Sequence, residues 1–63
     1  MSLYDFNVGV NKLSIRMRLK PKPEIRAALE SLARVQMVDL QEPQIVDIVD
    51  KVAAGVEIHM AGE

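Results

Sequence analysis

Ser14, Arg16 and Arg18 stand at every second position, and Lys20 and Lys22 continue the spacing. An arginine fork can take the O6 and N7 acceptors of guanine, a serine hydroxyl can bond a base edge, and lysines can meet phosphates. That is recognition chemistry and not bond-making chemistry. For the latter the parts are few. Ser2, Ser14, Ser31 and Tyr4 are the only hydroxyls, and His59 is the only imidazole to act as a base. No nucleophile, base and orienting group form a pattern. Asp47 and Asp50, three apart, read as a solvated helix face. Gly9, Gly55 and Gly62 are isolated, so no glycine-rich loop can cradle a phosphate. Cysteine is absent and a single histidine cannot hold a structural zinc. The four methionines read as core filler. A non-enzyme with no metal and no cofactor is expected.

Residues 4–10 alternate, with Tyr4, Phe6, Val8 and Val10 against Asp5, Asn7 and Gly9. A period of two predicts a half-buried strand. Asn11-Lys12 interrupts. Residues 13–20 then alternate again, Leu13, Ile15, Met17 and Leu19 against Ser14, Arg16, Arg18 and Lys20, which predicts a second strand. Pro21-Lys22-Pro23 ends it, since proline restricts the residue before it and suits a first helical turn. Ile25, Ala28, Leu29, Leu32 and Val35 recur at helical spacing and predict a helix over 23–36. Asp39 and Glu42 read as an N-cap and its capping-box partner, and Pro43 falls in the first turn. Ile45, Ile48, Val49 and Val52 predict a second helix over 40–54, closed by Gly55. Val56, Ile58 and Met60 alternate with Glu57 and His59, which predicts a short strand over 56–60. The expected class is α+β in one small domain, residues 1–63.

A chain of 63 residues buries a modest share of its surface and usually needs a staple. With no cysteine, the staple left is oligomerisation. The wide apolar stripe of the 40–54 helix can touch a neighbouring helix and another subunit at once. Charge is segregated. Residues 1–11 carry only Asp5, residues 12–34 carry seven basic against two acidic side chains, and residues 35–63 carry Lys51 against six acids, for a net charge of −1. One surface can therefore meet a polyanion while the rest repels it. No apolar run approaches a membrane span, and no basic segment followed by an apolar one opens the chain, so a cytoplasmic protein is expected.

The order strand, proline-bounded helix, turn, helix over LSIRMRLKPKPEIRAALESLARVQMVDLQEPQIVDIVDKV, residues 13–52, resembles the ribbon-helix-helix repressors of the Arc, MetJ and CopG type. LSIRMRL resembles their ribbon and AALESLA the core of their first helix. Met37 stands near the place where the family carries a turn glycine. The resemblance implies an intertwined homodimer, or a higher oligomer, in which paired strands enter the major groove of double-stranded DNA. By position it makes Ser14, Arg16 and Arg18 the base readers. Lys12, Lys20 and Lys22 would meet phosphate. The family's second helix begins at a phosphate, which by position involves Asp39, Leu40 and Gln41. The dimer core would be Leu13, Ile15, Met17, Leu29, Leu32, Ile45, Ile48, Val49 and Val52. The implied function is transcriptional regulation. The alternative is a non-catalytic protein-interaction or assembly subunit, in which 4–10 and 13–19 form an intrachain hairpin packed on two helices and the arginines meet an acidic partner protein.

Overall fold

Phe6, Val10, Leu13 and Met17 are spaced four, three and four residues apart, which is one stripe of an α-helix as well as part of a period-two pattern. The fold takes the helical option. A computed structural model of the chain describes residues 3–60, with side chains from Asp5 onward. It contains three helices: α1 (Leu3–Arg16), α2 (Lys22–Val35) and α3 (Glu42–Ala53).

The α+β expectation is therefore corrected: among the described residues there is no strand. Residues 4–10 and the first part of 13–20 form one helix, and 17–19 form the turn that follows it. The physical reason lies in the backbone. A helix satisfies its own N–H and C=O groups, whereas two short strands would leave open edges. Coiling also sorts the alternating apolar set. Phe6, Val10 and Leu13 become buried, and Ile15, which the strand would have held beside Leu13, turns out to solvent at 59% exposure. Asn11-Lys12 is no break but mid-helix. Tyr4 lies in α1, its side chain outside the described residues. Asp5 in the first turn and Arg16 in the last oppose the helix dipole favourably.

The second half follows its pattern. The helix expected over 23–36 is α2, displaced by one residue, with proline in its first turn. The helix expected over 40–54 is α3, which starts at Glu42. Its N-cap is Gln41 and not Asp39. The Gln41 backbone N–H donates to Gln44 Oε1 at 3.0 Å. Glu42 does other work. Both its oxygens accept from the Arg26 guanidinium at 2.7 Å, and Arg26 Nε donates to Glu30 at 3.1 Å. This fork ties α2 to the first turn of α3. The Glu42 carboxyl is held below the usual carboxylate range, chiefly by the Arg26 hydrogen bonds, and the Arg26 guanidinium is raised by the same pair.

The core runs through all three helices: Phe6, Val10 and Leu13 from α1, Ile25, Leu29 and Ala33 from α2, and Ile45, Ile48, Val49 and Val52 from α3. Of the residues expected to form a dimer core, all but Ile15 pack into the core of a single chain instead. Leu13, Leu29, Ile45, Ile48, Val49 and Val52 are buried, Met17 and Leu32 are half-buried against them, and Ile15 is outside. Gly9 permits the close approach of α1 and α2, since a Cβ there would sit 2.8 Å from Leu32 Cδ1. Two helix ends close by the same pair of bonds. After α2, Val38 N–H reaches Ala33 O at 2.9 Å and Met37 N–H reaches Arg34 O at 3.2 Å. After α3, Val56 N–H reaches Lys51 O at 2.9 Å and Gly55 N–H reaches Val52 O at 3.0 Å. The left-handed residue is Gly55 in one case (φ 84) and Met37 in the other (φ 57). Residues 56–60, expected as a strand, leave α3 without regular structure. No described helix is long and apolar enough to cross a membrane.

Candidate interaction faces of α1

The helical period divides α1 into faces. Phe6, Val10, Leu13 and Met17 point to the core. The neighbouring face carries Asn11 and Ser14, and Arg18 stands just past the helix end. The face turned away from the core carries Lys12, Ile15 and Arg16, all exposed.

The polar face holds the chain's own tail. Ser14 is 1% exposed. Its hydroxyl donates to Asn11 O at 2.7 Å and accepts the Ile58 N–H at 3.0 Å. The Asn11 side chain takes the Met60 N–H on Oδ1 at 2.7 Å and returns a bond from Nδ2 to Met60 O at 3.2 Å. Arg18 Nε donates to Gly55 O at 3.2 Å. Leu19, at φ 64, donates its N–H to Val52 O at 3.1 Å and so ties the end of α1 to the end of α3. Ile58 packs against the core from the tail. Beside the tail, Phe6, Val38, Leu40, Ile48 and Met60 line a hollow of about 430 Å³.

These positions correct the base-reading expectation. A ribbon would align Ser14, Arg16 and Arg18. Helical coiling sends Ser14 inside, Arg16 outward and Arg18 to the Gly55 turn, and among the described residues there are no paired strands to fill a major groove. Of the expected phosphate contacts, Lys12 and Lys20 are exposed, Lys22 pairs with Asp50 at 3.1 Å, and Gln41 caps α3. Among the described residues Lys12, Arg16, Arg18, Lys20 and Arg34 have no acidic partner, whereas Lys22, Arg26 and Lys51 are each paired. Lys12 and Arg16 lie on the outer face of α1 with Ile15, which is 59% exposed, and Lys20 follows the turn that holds Leu19, which is 62% exposed.

The remaining chemical candidates are dispersed. His59 is exposed and its Nε2 lies 2.6 Å from Glu57 Oε1. Asp47 pairs with Lys51 and Asp50 with Lys22. Among the described residues no three histidine, cysteine or acidic side chains gather as metal ligands, and no buried side-chain polar atom lacks a partner. Ser2 lies outside the described residues.

Comparison with protein-family models, with curated proteins and with solved structures returns no match. Sequence reasoning missed Asn11, which it took for an interruption. The signal was the spacing of Asn7, Asn11, Ser14 and Arg18, which parallels that of Phe6, Val10, Leu13 and Met17.

Proposed function

We propose that the chain is a non-catalytic protein-interaction module, and that the outer face of α1 receives an acidic amphipathic segment of a partner protein. The observation that carries this reading is the mixture on that face. Lys12 and Arg16 are unpaired among the described residues and the large apolar side chain Ile15 is exposed with them, while Leu19 and Lys20, also exposed, follow the helix end. A phosphate backbone would use the cations and leave the apolar groups in water. A helix with carboxylates flanking an apolar stripe uses both. The rest of the molecule favours the same choice, because the acidic second half repels a long polyanion.

The test is a titration of the chain with a synthetic acidic amphipathic helix and, separately, with random duplex DNA, each at two salt concentrations. The peptide is expected to bind, with an affinity that salt weakens only in part. Arg16→Glu should weaken it about ten-fold, roughly 1.4 kcal/mol, with helical dichroism unchanged. Duplex binding with a steep salt dependence and no peptide binding would overturn the reading in favour of nucleic acid. Failure of both ligands would overturn it outright.

A further inference from the structure

We propose, resting on the function given above for the outer face of α1, that its acidic partner is a second copy of this chain, which offers the exposed face of α3.

The segment that α1 calls for lies within the same sequence. Pro43, Val46, Asp47 and Asp50 recur at helical spacing along α3, and all four are exposed. Val46, at 44% exposure, is the large apolar side chain of that face. On α1, Lys12 and Arg16 stand within one turn of Ile15; on α3, Asp47 and Asp50 stand within about one turn of Val46. Each face thus carries an exposed β-branched side chain beside two like charges, and the two faces carry opposite charge. A seat for Ile15 is present too. Pro23, Val46 and Val49 line an apolar hollow of about 320 Å³ between the start of α2 and α3, which Asp50 also lines. Lys22 and Arg26, on the same hollow, are held by Asp50 and by Glu42.

The two α3 acids keep room for a second cation. Asp50 pairs with Lys22 and Asp47 with Lys51, each at 3.1 Å, yet both carboxylate side chains stay more than half exposed. Surface pairs of this kind contribute little, and a carboxylate has about four acceptor sites. Lys12 and Arg16 of another copy can therefore join them without displacing Lys22 or Lys51. The wider field has the same sense: residues 12–34 and 35–63 carry equal and opposite net charge, so the basic part of one copy attracts the acidic part of another. The two faces share no residue, so one copy can offer both at once. The apolar area is small and the charges lie at its rim, which makes the contact weak and salt-sensitive.

Sedimentation equilibrium of the whole chain from about 10 µM to about 1 mM, at low and at high salt, tests this. The average mass should rise with concentration from one chain to two or more, and salt should lower it. Arg16→Glu and Asp47→Lys should each weaken association about ten-fold or more, with helical dichroism unchanged because both side chains are exposed. An equimolar mixture of the two variants sets one wild-type α1 face against one wild-type α3 face, and should associate more strongly than either variant alone. Wild-type protein that keeps one-chain mass throughout overturns the proposal. If the synthetic acidic helix still binds such a protein, the function of the α1 face stands and its partner is a different protein; if that helix fails as well, both fall. Association that either variant leaves unchanged, or that the mixture does not restore, also overturns the proposal, because the interface then lies elsewhere.

Discussion

Leu13 and Ile15 separate a helix from a strand by a single measurement on each. In a strand the two side chains share a face and should cost similar amounts on truncation. In α1 they diverge: Leu13 is 2% exposed and Ile15 is 59% exposed. Leu13→Ala removes buried methyl groups and leaves a cavity among core side chains from the three helices. Such changes cost about 2–5 kcal/mol. A domain of this size rarely has more than about 3–5 kcal/mol to lose, so the variant should lie close to unfolding in water. Ile15→Ala removes little buried surface. Alanine also favours a helix over isoleucine by a few tenths of a kcal/mol, so the net change should fall within about 0.5 kcal/mol of zero. Urea unfolding followed by helical dichroism reads both, with similar denaturant slopes expected. Equal losses for the two variants, or a loss above about 1 kcal/mol for Ile15→Ala, would refute the placement of residues 3–16 in one helix.

Met37→Gly should stabilise the fold by about 0.5–1 kcal/mol in thermal or urea unfolding, because Met37 is 81% exposed and holds a left-handed backbone that glycine adopts freely. Ser14→Ala should cost about 1–3 kcal/mol in the same assay, since it leaves the Ile58 N–H without its acceptor. It should also speed amide exchange at Ile58. Glu42 carries a folded-state carboxyl held below its unfolded value by Arg26. Its contribution is therefore present above the ordinary carboxylate range and lost as pH falls through the lowered value. Glu42→Gln should flatten the acid limb of stability against pH and leave the neutral-to-alkaline side level, as read from urea midpoints across a pH series.

The two later helices were legible because their signals agreed. Pro23 and Pro43 sit in first turns, Ile25, Leu29, Ile45, Ile48, Val49 and Val52 keep the helical period, and Gly55 closes α3. The first helix was misread because its apolar residues satisfy two periods at once. Phe6, Val8, Val10, Leu13, Ile15, Met17 and Leu19 alternate in two runs, yet Phe6, Val10, Leu13 and Met17 also form a helical stripe. Gly9, Asn11 and Ser14 lower local helix propensity and so favoured the strand reading. Each is explained by tertiary structure: Gly9 by the approach of Leu32, Asn11 and Ser14 by the tail they hold. Contacts across 44 and 49 residues leave no mark on a local pattern. The basic cluster itself was visible, but its geometry followed the strand error, and Ser14 was assigned to a surface it does not reach.

On the proposed function, α1 presents a basic and apolar outer face to a partner protein. The most direct test is a residue-resolved amide titration of isotopically labelled chain with the acidic amphipathic helix. The amides of Lys12, Ile15, Arg16, Leu19 and Lys20 should move most, while those of the buried α3 residues Ile48 and Val52 hold still and carbon shifts over 5–16 remain helical. Perturbations centred on α3, or a spectrum unmoved by the peptide at saturating concentration, would contradict it.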